Sequence, residues 1–140
     1  MANAIPFVLI TPLAIKFDGE AELVIAVGTE GEEGILPSHA PYLTALKPGV
    51  LRANVRDEAG GLTRLELATC EGFLQALPGK VTVLTDAALA PKEIDIAQTR
   101  TDLAAAQETQ KAAGSDMPAF LREQSKIDFA LAKLKVAGVS

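Results

Sequence analysis

A mainly β fold with a helical end is what the sequence of this 140-residue chain predicts: an antiparallel β-sandwich or barrel to about residue 88, then an antiparallel two-helix hairpin over residues 91–140. Three observations predict it. Up to Ala88, short runs rich in Val, Leu, Ile and Thr are separated by turn formers. Within "LRANVRD", apolar and polar residues alternate with the period of a strand. At Pro91 the pattern switches to long alanine-rich stretches of good helix formers.

The strands are read from "PFVLI", "AELVIAV", "GVLRANV", "LTRLELATC" and "KVTVL". Asp18-Gly19, Gly60-Gly61 and Pro78-Gly79 stand where successive strands would reverse. In the third run Leu51, Ala53 and Val55 are expected to face inward and Arg52, Asn54 and Arg56 outward, as in an antiparallel sheet with one wet face. Residues 28–49, dense in Gly, Pro and acid, read as an exposed loop anchored by the apolar residues that follow.

The first helix begins after Pro91 with acidic residues in its first turn, Lys111 in its last and Gly114 just beyond. Ser115 or Asp116 caps the second, Pro118 suits its first turn, and Gly138 ends it after about Ala137. The short "AAGSDMP" connector makes the two antiparallel neighbours. Phe120, Ile127, Leu131 and Leu134 fall in one arc of the second helix, the expected packing stripe. Arg122, Lys126 and Lys133 cluster opposite with Phe129 exposed beside them, a pattern that suits either a solvated face or a docking surface. The first helix is lean: Ala97, Ala104 and Ala105 allow close approach but bury little area, at about 25 cal/mol per Å². A hairpin held that weakly is a candidate moving part.

Composition excludes several functions. With 49% hydrophobic and 22% charged residues the chain is globular, and its length leaves no room for two large domains. A formal charge of −5, 4% aromatic residues and no tryptophan argue against a nucleic-acid partner or an aromatic sugar groove. The charge is uneven: residues 1–90 hold 6 Lys/Arg against 11 Asp/Glu, while residues 91–140 hold 7 of each. One His and one Cys are too few for a protein-built zinc or iron site. Cys70 has no partner for an internal disulfide, and its apolar run predicts a buried thiol. Ser38-His39 lacks the orienting acid and strand-to-helix setting of a hydrolase nucleophile. "AIPFVLITPLAI" lacks the basic flank of a signal peptide and carries two prolines, so it reads as strand. No run approaches the roughly 18 apolar residues of a membrane span. Gly28, Gly31 and Gly34 match neither the P-loop nor the dinucleotide spacing. Glu30, Glu32 and Glu33 among them would repel phosphate and invite a basic or amide-rich partner.

The stretch "EGEEGILPSHAPYLTALKPGVL" closely resembles the signature of the epsilon subunit of bacterial F-type ATP synthase: Gly, acid, Gly, apolar, Pro, x, His-Ala-Pro, then Leu, x, Pro-Gly. The likeness continues through Thr11-Pro12, "EGFLQALPGKVTVLTDAA" and the hairpin after Pro91, essentially the whole chain. It implies an N-terminal β-sandwich over residues 1–88 and a C-terminal αα-hairpin. It also implies a rotor subunit without catalytic residues, metal or cofactor of its own. The sandwich would sit at the foot of the central stalk, gripping gamma and resting on the c-ring. Its membrane association, at the cytoplasmic face of the bacterial inner membrane, would come only through the complex. On this resemblance Glu30, Glu32 and Glu33 meet the c-ring, and His39, Ala40, Pro41 and Tyr42 lie against gamma. The hairpin of many relatives lies compact on the sandwich or extends into the head of alpha and beta subunits, blocking hydrolytic rotation. Arg122, Lys126 and Lys133 match the basic residues that then meet beta.

Two departures bear on regulation. Relatives that bind ATP in the compact hairpin carry Ile/Leu-Asp-x-x-Arg-Ala, whereas this chain has Ile94-Asp95-Ile96-Ala97-Gln98-Thr99, losing charge and bidentate geometry at Gln98. An ATP sensor closing its hairpin over nucleotide is the alternative reading. Its contacts would be Ile94, Asp95, Arg122 and Lys126, with weak binding at most. Ser38 and Glu71 stand where relatives often carry glycine, a change expected to alter a turn rather than the fold. A cupin-like β-sandwich enzyme is disfavoured by the shortage of metal ligands and paired titratable groups.

Overall fold

Alternating burial along short strands requires two facing layers, and the computed structural model, which describes residues 4–37 and 39–139, has them. The strands are β1 (Ile5–Ile10), β2 (Ile15–Gly28), β3 (Gly31–Ile35), β4 (Tyr42–Leu46), β5 (Gly49–Arg56), β6 (Leu62–Thr69), β7 (Gly72–Leu77), β8 (Lys80–Thr85) and β9 (Ala88–Leu89). A 3-10 turn, Pro91–Glu93, leads to helices α1 (Ile96–Ala112) and α2 (Met117–Val136). One layer runs β1-β8-β7-β4; the other holds β2, β3, β5, β6 and β9. Pairings β1–β2 and β2–β4 join the layers. Ladders are antiparallel except β1–β8, which is parallel.

The core lies between the layers. Phe7, Leu9, Ile35, Leu51, Leu74, Val81 and Val83 are its largest fully buried side chains. Leu51, Ala53 and Val55 point inward as predicted, and Arg52, Asn54 and Arg56 take the opposite face. No helix residue belongs to this cluster, so the sandwich is filled by its own side chains.

Three sequence expectations need correction. Asp18-Gly19 is not a turn but the middle of β2, where Gly19 pairs with Phe7. A Cβ at Gly19 would press on the Phe17 ring at 3.0 Å, and that ring folds over it and packs 5.4 Å from Phe7. The chain reverses instead at residues 11–14, where the Thr11 hydroxyl donates to the Ala14 carbonyl and accepts from its amide. Residues 28–49 are not one loop, because they contain β3 and β4. Cys70, just past β6, is half-buried rather than buried. Ser38 lies outside the described residues. Gly60-Gly61 and Pro78-Gly79 do sit at reversals, between β5 and β6 and between β7 and β8.

The helices start and stop where their caps require. Asp95 accepts from the Gln98 amide and Asp116 from the Ala119 amide. Gly114 and Gly138 take positive φ just past the two C-termini. The acidic residues expected in the first turn of α1 are absent from it; Asp95 caps the helix instead and Glu93 belongs to the preceding 3-10 turn.

The packing stripe of α2 differs from the predicted arc. Phe120 and Leu131 are exposed, while Glu123, Ile127, Ala130 and Leu134 form the buried stripe toward α1. Roughly opposite, Phe129, Ala132 and Val136 pack on Ala68 and Val50 of the sheet, so Phe129 is not exposed. A helix wedged between two partners buries two narrow stripes, and an arc computed for one partner misses both margins. On α1, Ala97, Ala104 and Ala105 face solvent; Thr99 and Ala106 are its buried residues among those described. The contact is as lean as predicted but uses the neighbouring face.

Gly72 shows how tightly β7 and β8 pair. A Cβ there would lie on the Leu84 carbonyl oxygen and 2.7 Å from Thr85 Cα. Gly72→Ala should lower unfolding free energy by about 1–3 kcal/mol, as overpacking does, read as a reduced denaturant midpoint with little change in slope.

Candidate functional site

Strand alternation divides the acidic trio at the β2–β3 turn. Glu30 stands exposed at the turn. Glu32 and Glu33, adjacent on β3, point to opposite faces. Glu32 reaches Arg52 Nη2 at 2.7 Å across the sheet and remains largely exposed. Glu33 turns inward: the Tyr42 hydroxyl donates to its Oε1 at 2.5 Å, and its Oε2 is buried with no partner among the described residues. The three carboxylates therefore do not form one acidic face.

The segment after β3 is braced against the same group. The His39 amide donates to the Leu36 carbonyl, and His39 Nδ1 lies 2.7 Å from the Ala40 carbonyl oxygen. The imidazole meets the Tyr42 ring edge-on at 5.8 Å. Ala40 and Pro41 are exposed between them. Among the described residues the contacts of the His39 ring are the Ala40 carbonyl and the Tyr42 ring, against which it stands as a wall.

A second feature went unread in the sequence. Leu74, Ala76, Val81 and Val83 of β7 and β8 fill the core, while on the outer face Phe73 and Leu84, a direct cross-strand pair, stand exposed beside the polar pair Gln75 and Thr82. Phe73 is 55% exposed, Leu84 50%, and Leu43 on neighbouring β4 66%. A shallow concavity of about 460 Å³ beside them is bounded by Ile10, Pro12, Phe73 and Leu84. The available signal was apolar residues at both parities of "GFLQAL" and "KVTVL", the mark of a strand covered on two sides.

The hairpin residues are arranged otherwise. Arg122, Lys126 and Lys133 share one stripe of α2, as predicted. Lys126 pairs with Glu123 at 3.1 Å and Lys133 sits 4.7 Å above the Phe129 ring, while the Arg122 side chain is exposed. Arg122 and Lys126 border a groove of about 450 Å³ between α2 and the sheet, with Cys70, Leu121 and Phe129. Burial pushes the Cys70 thiol up, so it is held as the poorly nucleophilic thiol. Ile94 packs instead with Ala132 and Val136, and Asp95 caps α1. Ala132 lies about ten residues, or about 15 Å, beyond Arg122 along α2. The four residues expected to hold a nucleotide thus do not share a cavity, and Gln98 is tied to Asp102 at 2.8 Å.

The Tyr42–Glu33 bond has a pH signature. It raises the phenol above its ordinary 10.0, with burial and the charges of Glu33 and Glu30 adding to it and a Thr44 bond opposing. A raised folded-state value means the contribution to stability is present below about pH 10 and lost as pH rises through the folded midpoint. The chain has one tyrosine and no tryptophan, so an absorbance titration reads Tyr42 alone. Its midpoint should lie above that of free tyrosine and return toward about 10 in Glu33→Ala.

Comparison with known proteins agrees with this geometry. The family described as "ATP synthase, Delta/Epsilon chain, beta-sandwich domain" matches residues 4–91. The ATP synthase epsilon chain of Chromobacterium violaceum is 38% identical over 119 residues, covering 85% of this chain and 82% of that one. That of Syntrophobacter fumaroxidans is 36% identical over 137 residues, covering 98% of each. A chain of the Euglena gracilis mitochondrial ATP synthase shares the fold, with TM-score 0.76 at 20% identity over 96% of this chain and 81% of its own. A chain of the Tetrahymena thermophila mitochondrial ATP synthase central stalk and c-ring does so at TM-score 0.64 and 17% identity, covering 96% of this chain and 97% of its own. With its sandwich matched along its length and its relatives alike through the helices, the chain belongs to the ATP synthase epsilon family.

Proposed function

We propose that this chain is a non-catalytic rotor subunit of the central stalk, linking gamma to the c-ring in proton-driven ATP synthesis, and that its hairpin restrains ATP hydrolysis. The observation that carries the reading is the uncovered apolar face of β4, β7 and β8, where Leu43, Phe73 and Leu84 stand exposed. A cluster of large apolar side chains left this exposed on a sheet has its stable place against another protein. Gamma is the partner proposed for it, with His39, Ala40, Pro41 and Tyr42 at the adjoining edge. Glu30 and Glu32 then meet the polar loops of the c-ring, and Glu33 shapes the loop through Tyr42 rather than touching the ring. Among the described residues no helix is long and apolar enough to cross a membrane, which suits attachment through the complex at the cytoplasmic face of the bacterial inner membrane. Arg122, with Lys126 and Lys133 released from their local partners, supplies the cations for acidic surfaces of beta in the extended hairpin, beside alpha. Such charges set encounter rate and specificity more than affinity.

Tagged protein should capture purified gamma. Phe73→Asp should reduce that capture at least tenfold, and His39→Ala less. Truncation after Ala90 should leave it intact, because the sandwich core draws on no helix residue. Absence of capture by the wild type would defeat the reading. In the assembled complex, removing residues 91–140 should raise ATP hydrolysis several-fold while synthesis persists; unchanged hydrolysis removes the inhibitory role and leaves the stalk role standing.

A further inference from the structure

Two attachments of the hairpin to the sandwich stand out among the described residues, both small. One is the seam in which Ala132 and Val136 of α2 meet Ala68, edged by Val50, Ile94 and Phe129. Two of its three fully buried residues are alanines, so little apolar area holds it. The other is the link itself. Ala90 packs on the sandwich core and Ile94 in the seam, leaving the 3-10 turn Pro91–Glu93 as the joint between two bodies.

One ion pair spans that joint. Lys16, at the start of β2, places Nζ 2.8 Å from Glu93 Oε1 and 2.7 Å from Oε2, joining residues 77 apart in the chain. The Lys16 side chain is 19% exposed and that of Glu93 44%. The same carboxylate accepts the Ala90 amide at 2.9 Å, which closes the turn from within. The Ala90 amide first, and Lys16 second, hold the Glu93 carboxyl below its usual range.

We propose that Lys16–Glu93 is a hinge clasp: it holds the linker on the sandwich and sets how often the hairpin lifts off the sheet. The claim rests on the reading that the hairpin moves, and names the contact that regulates the movement. Breaking the clasp leaves the small seam alone to keep α2 docked, so lift-off becomes more frequent.

The chain carries its own probe. Cys70, its one cysteine, borders the groove beneath α2, where Pro118, Leu121, Arg122 and Phe129 lie over it. Lift-off uncovers the thiol, so its labelling rate with a maleimide reports undocking. The charges that act on Cys70 are those of Glu71, Asp86 and Lys133, so changes at the clasp do not act on the thiol directly. Glu93→Gln keeps an acceptor for the Ala90 amide and removes the charge; Lys16→Met keeps the stem and removes the cation. Each should raise the Cys70 labelling rate about two- to fivefold, the scale of a partly exposed ion pair. The exchanged pair Lys16→Glu with Glu93→Lys should restore it in part. Salt should raise the wild-type rate toward that of the variants. Arg64→Gln, which removes the exposed pair with Glu66, should change nothing.

Truncation after Ala90 gives the rate of a fully uncovered thiol. A wild-type rate equal to that limit, or clasp variants that label no faster than wild type, would overturn the proposal. If the variants label faster yet hydrolysis in the assembled complex is indifferent to the hairpin, the clasp stands and the inhibitory reading fails.

Discussion

β2 runs for 14 residues and pairs with β1 through its first half and with β3 and β5 through its second, so closure of the sandwich rests on one strand changing layers. The change is made at an irregularity between Ala21 and Leu23. Ala21 is buried, and after the shift the buried positions are Val24, Ala26 and Gly28, so the alternation slips by one residue. Before the slip the strand faces the core as a partner of β1; after it, the same strand carries the β2–β3 turn with Glu30, Glu32 and Glu33. The acidic turn, the His39–Tyr42 edge and the hairpin seat at Val50 are all placed by that one strand. Lys16 stands at its beginning, which is why a residue near the N-terminus closes the hinge of a C-terminal hairpin.

The sequence was most legible where one physical rule acted alone. β5 alternates because one face is in the core, and Leu51, Ala53 and Val55 are readable from that rule. The helix caps at Asp95 and Asp116 and the glycines at 114 and 138 follow from unsatisfied helix ends, which are local matters. Legibility failed where two rules competed. Asp18-Gly19 has the chemistry of a turn, but Phe17 needs the space above Gly19 and β1 needs the ladder, so tertiary pairing prevails. β3 hides among glycines and glutamates because its pairing with β2 supplies what its own propensity does not.

At the candidate site the division is similar. The motif around His39 drew notice to this segment, and residue type suggested that all three glutamates face a partner. Period two on β3 turns neighbours to opposite faces, and Glu33 accepts from Tyr42 while Glu32 reaches Arg52. The apolar outer face at Phe73 and Leu84 lay in plain view, but a strand apolar on both sides reads in sequence as one buried inside its own domain. In the fold, Phe73 and Leu84 stand exposed, with none of the described residues covering them.

The two ends of the molecule are built to different strengths, and the difference is physical rather than incidental. The sandwich is filled by large side chains from both layers, including Phe7, Leu9, Leu51 and Leu74, so it behaves as one rigid body. The hairpin meets it through the small seam of Ala68, Ala132 and Val136, edged by Phe129, and the Lys16–Glu93 ion pair ties down the linker before it. Larger residues would not tighten the seam: Ala68 and Ala132 leave room for nothing larger without moving the helix outward, and a longer apolar residue at Ala97 or Ala104 would only face solvent. The small residues therefore set a close but shallow contact, and the ion pair Lys16–Glu93 adds a directional restraint beside it. A joint made this way can part without disturbing the sandwich, because no described helix residue belongs to its core.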